Sequence, residues 1–332
     1  MKTMPPQPNR RKFLKQSVAA ALTAPLITSV EEYTLAAAQE KATSPATPQL
    51  ATKTTMPTGM IGNVKISRLI CGGNLISGYA HSRDLIYVSP LLKHYFTDEK
   101  ILETWALCEQ HGINTMIVSP ADQRAVALYE KYRAQGGRIQ YLAQLNATKD
   151  DLVTCVKQSR DVGAAGAFLL GNLSDAWTRE GDVGRIGELI ANIKSHGLIA
   201  GVAGHELRTV QAVEKAKAAP DFYMKTLHAT NYWSSRRPDQ MKEVIDNYGI
   251  DNYWCMDPKA TIAYMAELER PWIAYKVLAA GAIHPRAGFK HAFENGADFA
   301  AVGLFDFQIA EDVAITSEVV KATQNRERAW YA

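Results

Sequence analysis

Two lysines stand alone inside apolar runs, and that placement carries chemical information. Lys225 lies in Phe-Tyr-Met-Lys-Thr-Leu-His (222–228), and Lys276 lies in Trp-Ile-Ala-Tyr-Lys-Val-Leu (272–278). A buried ammonium is costly unless it is paired. Direct contact with substrate is one reading, and a salt bridge to a core carboxylate is the other. A buried amine with a lowered pKa can also add to a carbonyl and form a Schiff base. His205-Glu206 and His228 are the next candidates, each just after an apolar run. With Asp257 they could assemble two histidines and one carboxylate around a divalent metal that polarises carbonyls and hydroxyls. The spacing matches no established ligand motif. Histidines that bond substrate without a metal are the competing reading.

Such residues need elements to bring them together. From about residue 60 the chain alternates short apolar runs with helical patterns. Strands are expected at 66–71, 115–118, 140–145, 166–170, 198–203, 222–227, 272–278 and 299–303, each the length of a strand buried on both faces. Helices are expected at 98–111, 123–135, 149–162, 183–196, 206–218, 260–268, 287–294 and 312–322. Gly112, Gly136, Gly163, Gly197 and Gly296 fall where helices must stop. Thr97 and Thr148 read as N-caps. Eight repeats of strand and helix imply a parallel sheet closed as a (β/α)8 TIM barrel. An open doubly wound sheet is the alternative, and no GxGxxG follows the first strand to support it.

In a barrel the chemistry sits at the C-terminal ends of the strands. Those ends carry Asn74, Ser119, Gln144, Asn146, Asn172, His205, Glu206, Lys225, His228, Lys276 and Asp306. Two connections are long, 75–96 and 229–258, and loops of that length serve as lids or binding loops. The first holds His81 and Arg83; the second holds Asn231, Trp233 and Asp257. Catalysis is expected from Lys225, Lys276, His205, His228 and Glu206. Substrate contacts are expected from Asn74, His81, Arg83, Gln144, Asn146, Asn231, Trp233 and Asp306. A divalent metal is a candidate cofactor, on His205, Glu206, His228 and Asp257. Aromatic loop residues such as Trp233 suit sugar rings, or simply pack the lids.

The net charge is +3, and Lys2, Arg10, Arg11, Lys12 and Lys15 supply five cations with no acid among the first fifteen residues. The remainder is near −2, so it carries no basic footprint for nucleic acid. No stretch of about 20 apolar residues follows residue 38, so no membrane span is expected there. Cys71, Cys108, Cys155 and Cys255 lack CxxC spacing and read as buried thiols.

Residues 9–15, Asn-Arg-Arg-Lys-Phe-Leu-Lys, resemble the twin-arginine export consensus. A mildly apolar stretch and Leu-Ala-Ala-Ala at 35–38 follow in the order of a cleavable signal. The expected organisation is a signal over 1–38, a disordered Thr/Pro/Ala/Lys-rich linker over 39–59 and a barrel over 60–332. This implies the twin-arginine machinery as a partner and a periplasmic or otherwise exported product. Export by this route often accompanies a cofactor loaded beforehand.

Val-Lys-Ile-Ser-Arg-Leu (64–69), Gly72-Gly73-Asn74 and Cys-Glu-Gln-His-Gly-Ile-Asn-Thr (108–115) resemble the opening of the aldo/keto reductase superfamily. The resemblance covers less than a fifth of the chain and implies a barrel. Its catalytic tetrad is not matched: Ile117 stands at the family's Asp, Gln144 nearest its Lys, and Gly171-Asn172 at its His. No Tyr fits the acid position. The lysines on adjacent strands are similar to the pair of class I aldolases, where one forms a Schiff base and the other lowers its pKa. The expected function is an exported enzyme of lyase, aldolase or isomerase type acting on a small carbohydrate-derived or keto substrate. A nicotinamide-dependent oxidoreductase and a non-catalytic solute-binding barrel are the alternatives.

Overall fold

The structure is a computed structural model that describes residues 56–241 and 249–331. The expected signal and all but the last residues of the expected linker lie outside that range. Thr58–Ile61 (β1) and Val64–Ser67 (β2) form an antiparallel hairpin. Eight parallel strands then close a barrel: Leu69–Gly72 (β3), Thr115–Val118 (β4), Gln140–Leu145 (β5), Gly166–Leu169 (β6), Ile199–Gly204 (β7), Phe222–Thr226 (β8), Trp272–Tyr275 (β9) and Phe299–Gly303 (β10). The seam joins β10 to β3, with Ala300 opposite Leu69. Helices return each strand to the next. They are Val88–Tyr95 (α1), Asp98–Gln110 (α2), Gln123–Ala134 (α3), Thr154–Asp161 (α4), Gly171–Arg179 (α5), Val183–Ser195 (α6), Leu207–Lys215 (α7), Pro258–Ala266 (α8), Pro285–Glu294 (α9) and Ile309–Ala322 (α10).

Alternation along the strands divides the core. Ile70, Ile117, Leu142, Phe168, Phe222 and Ile273 fill the lumen, while Trp105, Tyr141, Tyr223, Trp272 and Phe289 pack between sheet and helices. Ile61 and Ile66 of the hairpin join the lumen cluster and close its N-terminal end. The barrel is thus a packed core, and only its C-terminal face is left for chemistry.

The five glycines expected to end helices all take positive φ, from 76° at Gly197 to 99° at Gly296. Thr97 caps α2 by accepting the Lys100 N–H at 3.2 Å. Several expected boundaries move. The expected strand 66–71 is split at Arg68. The Ser67 N–H donates to Asn114 Oδ1 at 2.8 Å, and the Arg68 N–H turns back to Pro57 O at 2.8 Å. The expected helix 149–162 starts only at Thr154. Thr148 and Asp151 first close a turn on each other, and Asp151 Oδ1 accepts the N–H groups of Val153 and Thr154. The expected strand 272–278 stops at Tyr275, because Lys276 adopts φ 59°. Helix α1 lies within the long connection expected over 75–96, and α5 lies in a stretch where no helix is expected. The four cysteines are free, three of them buried.

Candidate functional site at the barrel mouth

The short β9 decides where Lys276 points. A strand residue at φ 59° leaves the ladder, a conformation that costs a non-glycine side chain free energy and recurs at functional sites. Its Nζ lies 3.2 Å from His81 Nε2 and 3.9 Å from the centroid of the Trp254 ring. His81, itself at φ 51°, packs edge-on against the same indole at 5.0 Å. The Asn74 amide nitrogen reaches His81 Nε2 at 2.7 Å. With the amide nitrogen facing it, His81 Nε2 accepts. Among the described residues no carboxylate pairs with this ammonium. Burial lowers its pKa from 10.5 to about 7.

Lys225 lies deeper, 1% exposed. Its Nζ donates to Thr226 O at 3.0 Å and to Thr226 Oγ1 at 2.9 Å. Burial pushes its pKa down, against the opposing influence of Cys255, Asp175 and Glu206. Lys225 lies on β8 and Lys276 just past the end of the neighbouring β9, and both depress the pKa of His205.

His205 follows β7 and is backed by a residue that sequence reasoning missed. Asp175, fully buried on α5, accepts from His205 Nδ1 at 2.9 Å, from the His205 and Glu206 N–H groups at 3.0 and 3.2 Å, and from Thr209 Oγ1 at 2.7 Å. Burial alone would raise this carboxyl; the His205 contacts outweigh it and hold it below its ordinary range. A carboxylate on Nδ1–H sets the tautomer and puts the lone pair on Nε2. Burial, more than the neighbouring lysines, lowers the His205 pKa to about 4, so the imidazole is neutral at physiological pH. Tyr275, also missed, packs on this ring at 5.5 Å. Gly171 makes room for both. A Cβ there would stand 2.6 Å from the Tyr275 hydroxyl and 2.9 Å from His205 Cε1.

The expected metal site is not assembled. His228 Nδ1–H is directed to Ala229 O at 2.9 Å, and its Nε2 accepts the N–H groups of Trp254 and Cys255, both at 2.9 Å. Both ring nitrogens thus hold the second long loop, and burial drives the ring's pKa to about 4. Glu206 is bound by Arg179 and Arg208. Asp257 caps α8 by accepting the Ala260 N–H at 2.9 Å. Among the described residues no group of three His, Cys, Asp or Glu side chains is placed to hold a metal ion.

The expected substrate contacts divide. Asn74 and His81 stand beside Lys276. Gln144 is half-buried on β5. Asn146 is exposed and accepts from Ser119 Oγ at 2.7 Å. Arg83 and Arg236 both bind Asp251, joining the two long loops. Asn231 is exposed, and Trp233 is 91% exposed. Asp306 is taken by Tyr95 and by Lys100 Nζ at 2.9 Å, which pins α1 and α2 to the end of β10.

No protein-family model matches the chain, and no curated protein matches it. Solved structures do. Two Pseudomonas aeruginosa proteins whose names assign them provisionally to the aldo-keto reductases superpose at TM-scores of 0.56 and 0.53. They share 17% and 19% identity, over 80% of this chain and 94% of each of theirs. A truncated 3-deoxy-D-arabino-heptulosonate 7-phosphate synthase from Thermotoga maritima matches at 0.44 with 11% identity, over 81% of this chain and 91% of its own; it is too distant to support an argument. At such identities the likeness shows the fold alone: a (β/α)8 barrel. No helix among the described residues is long and apolar enough to cross a membrane.

Proposed function

We propose that this chain is a lyase, aldolase or isomerase acting on a small carbohydrate-derived or keto substrate, with Lys276 as the amine that engages its carbonyl. The observation that carries this is the setting of Lys276: an imidazole, an indole face and, among the described residues, no carboxylate partner. A carboxylate partner would hold the nitrogen protonated. Here its pKa of about 7 leaves a substantial fraction as free amine at neutral pH. The amine lone pair attacks the carbonyl carbon, and the carbonyl oxygen takes up two protons and leaves as water. The product is an imine that acidifies the neighbouring C–H bond. His205, neutral and oriented by Asp175, is the base for the subsequent proton transfer. Tyr275 stands beside it as a hydroxyl donor.

A nicotinamide-dependent reductase is the second reading, favoured by the shape of the fold. Against it, Ile117, Gln144 and Gly171 occupy the positions matched to that family's Asp, Lys and His. NADPH binding in the micromolar range would move the assignment there. We also propose that residues 1–38 direct twin-arginine export, which makes an unphosphorylated substrate the better fit. Incubation of the full-length chain with dihydroxyacetone, hydroxyacetone or pyruvate and sodium cyanoborohydride tests the central reading. A stable adduct on the Lys276 peptide is expected, absent in Lys276→Met. No adduct with any of the three, or one on another lysine, rejects it.

A further inference from the structure

Lys276 and His81 meet in a contact that strains the backbone on both sides. Both residues take left-handed conformations, at φ 59° and 51°, which a side chain makes unfavourable. They stand 195 residues apart in sequence. The loop over 75–96 is fastened on either side of His81. The Tyr79 N–H donates to Asn74 O at 2.8 Å, and the Arg83 side chain binds Asp251. The imidazole stands edge-on to Trp254, the indole that carries Lys276 on its face. His81 Nε2 is thereby held 3.2 Å from Nζ, with the Asn74 amide nitrogen 2.7 Å from the same ring atom. Two donors face one lone pair, since an imidazole nitrogen that accepts does so once.

We infer that His81 is a further catalytic residue, the group that carries protons between Lys276 Nζ and the carbonyl oxygen of the substrate. Imine formation needs such a carrier. An ammonium holds three protons and the iminium nitrogen keeps one, so two must pass to the departing oxygen. Nε2 takes the first from Nζ. The freed lone pair forms the C–N bond as the C=O π pair moves to oxygen. Nε2–H then protonates that oxygen, which gives the carbinolamine. Nε2 takes the second proton from nitrogen and delivers it to the hydroxyl. The C–O bond breaks, water leaves with the bonding pair, and the nitrogen lone pair closes the C=N bond. The carbinolamine oxygen is two bonds from Nζ, so a ring 3.2 Å from that nitrogen can serve both atoms. Asn74 suits both states of the ring. Its amide nitrogen donates to the bare Nε2, and its carbonyl, after rotation about the broad terminal torsion, accepts from Nε2–H. His205 remains with the C–H bond, so nitrogen and carbon each have their own imidazole.

The inference rests on Lys276 being the reactive amine, and the rate of the adduct and its existence separate the two claims. Adduct formation with hydroxyacetone, dihydroxyacetone and pyruvate is followed by intact mass of the full-length chain. Cyanoborohydride is raised until the rate no longer depends on it, so that imine formation is the step timed. His81→Gln, its thermal melt compared with wild type, is expected to form the same Lys276 adduct about a hundredfold more slowly. In His81→Gly, added imidazole is expected to restore the rate. Pyrazole, of the same shape but far weaker as a base, is expected to leave it slow. A ring that only packs the loop would be replaced equally well by either. A His81→Gln rate within about twofold of wild type overturns the assignment and leaves the Lys276 reading in place. A His81→Gly rate that imidazole does not raise, or that pyrazole raises equally, overturns it as well. No adduct in the wild-type chain with any of the three carbonyl compounds overturns both.

Discussion

Lys276 and His205 titrate below their ordinary ranges, with burial as the leading cause for each. For a base, a lowered pKa means that the folded chain releases its proton more readily than the unfolded chain. The cost of burying charged Lys276 is therefore fully present below pH 7. It shrinks as pH rises from about 7 toward 10.5, where the unfolded lysine also loses its proton. Lys276→Met should raise the melting temperature at pH 6, by about 2–4 °C for each kcal/mol recovered. That gain should fade toward pH 10. A melting difference that does not change with pH would mean the ammonium is not desolvated. In the wild-type chain, adduct formation should rise with pH through about 7 and then level off. His205, at about 4, adds no second transition in that range. These two side chains were legible as candidates because a cation in an apolar run and a histidine at a strand end are visible in one dimension. Asp175 was not. It lies in a stretch where no helix is expected, and nothing local says that its carboxylate faces inward.

The two long loops behave as one element because Asp251 joins them. Arg83 and Arg236 converge on its carboxylate, and the Arg83 N–H donates to Ile250 O at 2.9 Å. Those loops carry His81 and Trp254, the two groups that set the environment of Lys276. Asp251→Ala should cost about 2 kcal/mol by leaving its arginines without their shared acceptor. It should also speed proteolysis within 229–258 and lower the Lys276 adduct yield. Unchanged cleavage and unchanged adduct would show that the loops hold the site without this clasp. Helix α5 shows how an element was missed. Leu170, Leu173 and Trp177 follow helical spacing, but the segment follows a strand without a capping residue, and Gly171 opens it. The hairpin left a similar trace: Gly62-Asn63 is a two-residue turn between apolar positions, with Gly62 at φ 57°.

At the scale of the molecule, the barrel is closed at its N-terminal end by a carboxylate far from the chemistry. Asp298 accepts the Trp272 N–H at 2.9 Å, binds Arg326 and Arg328, and takes the Tyr331 N–H at 3.0 Å. Arg68 lies over the rings of Phe299 and Trp330 in the same cluster. The last described residues are thus tied across the β10–β3 seam. Asp298→Ala should destabilise the chain by about 3–5 kcal/mol in denaturant melts, because it leaves two nearly buried arginines unpaired. A loss below about 1 kcal/mol would mean that the tail does not hold the seam.

The sequence by itself determined the barrel. Strand runs, helix periods and the glycines that end helices are local signals, and eight repeats of them admit few topologies. It also identified both lysines, since burial of a charge within an apolar strand is visible in composition alone. Only the tertiary structure decided what surrounds them. It spent His228 on backbone amides, Asp257 on a helix cap, Glu206 on two arginines and Asp306 on a helix anchor, so the expected metal cluster did not form. It brought His81, Asp175, Trp254 and Tyr275 to the mouth instead. Whether a polar side chain serves chemistry or is satisfied by its neighbours depends on which donors lie within about 3 Å of it. Those neighbours come from segments tens to nearly two hundred residues apart, which no local pattern encodes.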